Sequence, residues 1–96
     1  MLKKLLERGI HAEIIDEHNK ITITDSSVNL REPKGSIISL IPISECHGVT
    51  TQNLEYPLYG ETLYVGEGRG VSNCTLGGET RVSLKDGLLL VVVARD

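Results

Sequence analysis

The spacing of apolar residues changes at Gly9, and that change limits what the chain can fold into. Before it, Leu2, Leu5 and Leu6 fall at i, i+3 and i+4, one stripe of a helix. Arg8 suits the negative end of a helix dipole, and Gly9 suits the left-handed position that closes a helix. No N-cap residue precedes the stripe, so residues 1–9 read as the tail of a longer helix. After Gly9 the period drops to two. Ala12 and Ile14, then Ile21 and Ile23, alternate with their neighbours around the polar turn Asp16-Glu17-His18-Asn19-Lys20, which predicts a β-branched hairpin.

Further strand-length runs follow, each bounded by turn residues. Ser36 to Ile43 is densely apolar, with Pro42 marking a strand end or an edge. Val49 to Leu54, Glu61 to Val65, Glu79 to Leu84 and Leu88 to Ala94 are the others. Asp86-Gly87 is a tight-turn signal, and it predicts that Leu88–Ala94 pairs back on the strand before it. About eight short strands at spacings of 8–12 residues imply an all-β fold, an antiparallel sandwich or barrel, with a short N-terminal helix. The expected division is a helix remnant over residues 1–9 and one β domain over residues 10–96.

Composition agrees with one small domain. Of 96 residues, 30 are Leu, Ile or Val, while Phe and Trp are absent and Tyr occurs three times. A chain of this length buries roughly two thirds of its unfolded surface, so branched aliphatics can supply a core. Ten Lys and Arg against thirteen Asp and Glu give a net charge of −3. That balance argues against a nucleic-acid partner, which calls for a basic stripe, or stacking aromatics for single strands. The longest apolar run, residues 88–93, is far short of the ~20 residues a membrane helix needs. Two cysteines, Cys46 and Cys74, do not make a secreted disulfide framework. A cytoplasmic domain with two reduced thiols is expected, with no membrane partner.

Candidate chemistry is sparse. Cys46-His47 are adjacent, and neighbours on a strand face opposite ways, so they neither hold one metal ion nor form a nucleophile–base pair. The acids are scattered, without a pair spaced for acid–base work. No catalytic residue and no metal ligand is assigned. Residues 66–70, Gly-Glu-Gly-Arg-Gly, form the densest glycine cluster, but no helix pattern or Lys-Ser follows, which excludes a Rossmann loop and a P-loop. Ser72-Asn73 beside that cluster offers a hydroxyl and an amide suited to a polar heteroaromatic ring, and equally suited to fixing a turn. These residues alone favour a binding or assembly module over a complete enzyme.

An ordered series of anchors carries a more specific resemblance. Ser39-Leu40-Ile41-Pro42-Ile43-Ser44, Gly48-Val49-Thr50-Thr51, Tyr56-Pro57-Leu58, Glu61-Thr62-Leu63, Gly70-Val71-Ser72-Asn73 and Gly87-Leu88-Leu89-Leu90-Val91 together resemble the C-terminal domain of thiamine pyrophosphokinase. The resemblance implies an antiparallel β-sandwich, jelly-roll-like, that binds thiamine and takes part in a homodimer. It implies substrate contacts at Gly70, Ser72 and Asn73. It also implies that ATP and Mg2+ are bound by an N-terminal α/β domain absent here, so that the full-length enzyme makes AMP and thiamine diphosphate while these 96 residues alone are inactive. The alternative is a non-catalytic β-sandwich that binds a small ligand or another protein.

Overall fold

The computed structural model describes residues 11–66 and 72–94. The helix expected over residues 1–9 lies outside them, as does Gly70. Nine strands are present: β1 His11–Ile15, β2 Asn19–Thr24, β3 Ser27–Glu32, β4 Ile37–Pro42, β5 Cys46–Gln52, β6 Glu61–Leu63, β7 Asn73–Cys74, β8 Gly78–Ser83 and β9 Leu89–Ala94. They form a five-stranded sheet, β1-β2-β9-β4-β7, and a four-stranded sheet, β3-β8-β5-β6. Every pairing is antiparallel. The all-β, two-sheet expectation holds, and Pro42 ends β4 without costing the ladder a central donor.

The β1–β2 hairpin is closed by Asp16, whose Oδ1 accepts from the amides of His18 (2.9 Å) and Asn19 (2.8 Å). Those two bonds, that of Asn19 foremost, hold the Asp16 carboxyl below its ordinary range. From β2 onward the chain changes sheet at every connection except β5–β6. The expected hairpin between the last two strands is therefore corrected. β8 pairs with β3 and β5, whereas β9 pairs with β2 and β4. Asp86-Gly87 makes a corner between the sheets. His47 N donates to Asp86 O at 2.9 Å and Lys85 N donates to His47 O at 2.8 Å, tying the corner to β5. Gly87 has φ +108°, and a Cβ there would lie 2.5 Å from Glu45 O and 2.7 Å from Cys46 Cα. Only glycine fits both demands.

The inner faces bury Val28, Leu30, Ile38, Leu40, Cys46, Val49, Leu63, Val82, Leu89, Val91 and Val93. Together with Leu54 and Leu84 they make one aliphatic core. On β2 the threonines face inward: Thr22 and Thr24 are buried while Ile21 and Ile23 are half-buried on the outside. The two outer faces differ in chemistry. On the five-stranded sheet the rows read Ala12–Ile23–Leu90–Ile41 and Ile14–Ile21–Val92–Ser39. On the four-stranded sheet one row reads Asn29–Arg81–Gln52, with Arg81 Nη1 donating to Asn29 Oδ1 at 3.3 Å.

Candidate functional site

Strand β7 is only two residues long, yet three neighbours fix it. Ile37 and Ile38 of β4 pair with Cys74 and Asn73. Thr75 N donates to Ser36 O (3.1 Å) and Gly35 N donates to Thr75 O (2.9 Å). On the other side runs the extended segment after β5. Leu54 bridges Thr75, Glu55 N donates to Cys74 O at 2.8 Å, and Leu76 N donates to Asn53 O at 3.0 Å.

Asn73 continues that pairing with its side chain. Its Oδ1 accepts from Tyr56 N (3.0 Å) and its Nδ2 donates to Tyr56 O (2.6 Å). A second bond to Oδ1 comes from Cys74 N at 3.0 Å. The amide thus reproduces the two bonds that an antiparallel backbone partner would give Tyr56. Asp lacks the donor, and Ser lacks the reach to satisfy both groups. Three of the four hydrogen-bonding positions of the amide are engaged here. The residue is 4% exposed, so the clamp works largely out of water.

Ser72 has a different character. It is exposed, with φ +63°, a left-handed conformation uncommon for a side chain with a Cβ. Such strain concentrates where a loop must present a group in one direction. The preceding glycine of the expected site, Gly70, is outside the described residues. Gly66 is described, with φ +91°. The structure thus joins Asn73 to Tyr56, a contact 17 residues distant in sequence that residue spacing did not reveal. The usable signal was Tyr56-Pro57, since a residue before proline is held extended.

The remaining chemistry-bearing residues sit elsewhere. His47 Nε2 lies 3.0 Å from Glu45 Oε2 and 4.0 Å from Asp86 Oδ1, with all three side chains substantially exposed. Cys46, its neighbour, is fully buried, and its Sγ lies 3.2 Å from Ser44 O and 3.3 Å from Leu88 O. Burial pushes this thiol up from its ordinary value. Among the described residues no group of three or more His, Cys, Asp or Glu is arranged to hold a metal ion, and no helix is long and apolar enough to cross a membrane. A groove runs between the β3–β4 turn and Ala94. It does not include Ser72 or Asn73.

Comparison with known proteins bears on the fold and the family of the chain. The family model described as thiamin pyrophosphokinase, vitamin B1 binding domain, matches residues 18–89. Among solved structures, thiamine pyrophosphokinase from Bacillus subtilis aligns with a TM-score of 0.80 and 23% identity, covering 91% of this chain and 42% of that one. Thiamin pyrophosphokinase from Geobacillus thermodenitrificans aligns at 0.77 and 22% identity, over 88% of this chain and 40% of that one. A thiamin pyrophosphokinase family protein from Enterococcus faecalis gives 0.73 and 17%, over 88% and 40%. These likenesses establish the shared fold. The chain spans about two fifths of the length of the solved structures it matches. No curated protein sequence gives a significant match.

Proposed function

The chain belongs to the thiamin pyrophosphokinase vitamin B1 binding domain family, and on that premise we propose that it is the thiamine-binding and dimerisation domain of a thiamine pyrophosphokinase. The carrying observation is the family match over residues 18–89, which spans β2 to β8 whole and includes Asn73 and Tyr56. In this reading ATP and Mg2+ are held by a further part of the enzyme. The full protein transfers a diphosphate from ATP to the thiamine hydroxyl, releasing AMP, and these 96 residues do not do so alone. Phosphoryl transfer needs metal and phosphate ligands in fixed positions.

The ligand site is placed at Gly70, Ser72 and Asn73. Ser72 offers an exposed hydroxyl, able to donate or accept, on a backbone held in one unusual conformation. Asn73 sets that backbone by fixing its neighbour across the loop, and its remaining Nδ2 hydrogen is the group it can offer a ring nitrogen. Dimerisation is placed on the outer face of the five-stranded sheet, where Ile14, Ile37 and Ile41 are 59%, 40% and 41% exposed. A contiguous aliphatic face of this kind is covered in most native assemblies, and a second copy offers the same chemistry across a two-fold axis. A cytoplasmic setting completes the reading.

Calorimetric titration of the 96-residue chain with thiamine tests the binding claim. Saturable one-to-one binding is expected, with no AMP or thiamine diphosphate formed when ATP and Mg2+ are added. Absence of thiamine binding refutes the ligand assignment, and turnover by the chain alone refutes the division of labour.

A further inference from the structure

Alternation along a strand decides which side chains meet between the sheets. On β3, Val28, Leu30 and Glu32 point inward and are buried, while Asn29 and Arg31 are exposed. Glu32 is 6% exposed, the one charged side chain among the described residues that are buried. A carboxylate at such depth is stable only in company, because burying an isolated charge is costly. Glu32 also forms one wall of the groove, about 630 Å³, that the β3–β4 turn and Ala94 complete. The turn is fixed from within and from outside. Ser36 directs both its N–H (3.1 Å) and its hydroxyl (2.8 Å) at Pro33 O, and Gly35 N donates to Thr75 O at 2.9 Å.

Strand β9 leads the chain into this groove. It is central in the five-stranded sheet, and Ala94 is still paired on both sides, with Asn19 and with Ile37. Leu89, Val91 and Val93 are buried, facing the opposite sheet, and Ala94 is exposed. By the same period of two, the next residue, Arg95, takes the inward side. Inward from Ala94, at this end of the sandwich, stands the wall that Glu32 provides. Arginine suits the position. Its planar fork meets a carboxylate with two parallel hydrogen bonds, and its apolar stem can lie along the edge of an aliphatic core. We propose that the groove is the docking site of Arg95, whose guanidinium pairs with Glu32 and clasps β9 of one sheet to β3 of the other.

The test is a double-mutant cycle read from thermal melts of the whole chain. Arg95→Ala and Glu32→Gln are each expected to lower the melting temperature by about 10–20 °C. The double variant should lose at least about 6 °C less than the two losses added, since each single change already breaks the pair. Lys34 in the turn and Lys20 on β2 are the rival partners. Lys34→Ala and Lys20→Ala, each combined with Glu32→Gln, should be additive within about 4 °C. Reversing the pair, Glu32→Arg with Arg95→Glu, should recover at least half of the loss caused by Arg95→Glu alone. Additivity of Arg95→Ala with Glu32→Gln, or coupling of Glu32 to Lys34 or Lys20 in its place, overturns the clasp. Should Glu32→Gln fail to fold, the parent background decides. There Arg95→Glu, which sets a second carboxylate against Glu32, should melt well below Arg95→Ala, and equal melting of the two overturns the proposal.

Discussion

Replacing Asn73 by Ala removes three hydrogen bonds at once: those to Tyr56 N, Tyr56 O and Cys74 N. A bond of this kind is worth about 0.5–1.5 kcal/mol net, and a polar group left buried without a partner costs about 1–3 kcal/mol. Tyr56 is 67% exposed, so water can reach its freed N–H and carbonyl, and the lower range applies there. Cys74 is half-buried, which places its amide between the two ranges. The sum is about 2–4 kcal/mol, against a total stability of about 5–15 kcal/mol for a domain of this kind. At about 4–8 °C per kcal/mol, the melting temperature should fall by about 10–30 °C.

Circular dichroism melting measures the loss, and Asn73→Asp gives it a chemical signature. That variant keeps an acceptor for Tyr56 N but sets a carboxylate oxygen against Tyr56 O, where only the protonated acid can donate. Its folded-state pKa is therefore raised. The recovered stability should be fully present below the unfolded carboxyl value near ~4 and lost as pH rises through the folded one. Asn73→Ala should show no such recovery. An alanine variant melting within about 3 °C of the parent, or an aspartate variant without acid recovery, refutes the clamp as the source of stability.

Three further outcomes are expected. Thr22 Oγ1 is buried without a hydrogen-bond partner among the described residues, so Thr22→Val should raise stability by about 0.5–2 kcal/mol in urea unfolding; a loss there refutes the assignment of that hydroxyl as unpaired. Gly87→Ala adds a Cβ 2.5 Å from Glu45 O at φ +108° and should destabilise by about 3 kcal/mol or more or prevent folding, seen as loss of a cooperative melt. Cys46 is fully buried and Cys74 partly exposed, so iodoacetamide mapped by mass spectrometry should modify Cys74 first. Because burial raises the Cys46 thiol pKa, its neutral form is favoured on folding. Stability from this source is full below the unfolded thiol value and should decline from about pH 9 upward, an effect absent from Cys46→Ala.

Strands were legible wherever one face is buried, because period two then shows in the residues themselves. β8 alternates exposed Glu79 and Arg81 with buried Thr80 and Val82, whereas β4 and β9, apolar on both faces, showed only as dense runs of strand length. What each strand pairs with was less legible. Asp86-Gly87 announces a positive-φ turn, but a hairpin and a corner between sheets need the same backbone freedom. The choice rests on Glu45, Cys46 and His47, about forty residues earlier in the chain. The direction of β2 was obscure for a related reason: Ile and Thr are both β-branched, and the expectation that the more apolar face points inward fails when the outer face is aliphatic too. Ser72-Asn73 stood out as chemistry beside a glycine cluster, whereas Tyr56 did not, since its bond to Asn73 obeys no period.

The two outer faces carry the remaining argument. A sheet needs a hydrophobic outer face only if something covers it. The four-stranded sheet presents Asn29, Arg81 and Gln52 in one row, polar groups that remain hydrated at no cost. The five-stranded sheet presents Ala12, Ile23, Leu90 and Ile41 in the equivalent position, with Ile14, Ile21 and Val92 in the next row. Both sheets bury their inner faces in the same core, so core formation does not account for the difference. The dimer reading therefore assigns the partner to one sheet, and the same charge placed on each face separates the roles. Val92→Glu should convert a sedimenting dimer at micromolar concentration into a folded monomer, because a carboxylate would be buried unpaired in an interface of about 1,000 Å² or more. Gln52→Glu adds the same charge to the hydrated face and should leave the mass unchanged. A monomeric parent chain, or dissociation by both variants alike, refutes the placement of the interface on the five-stranded sheet.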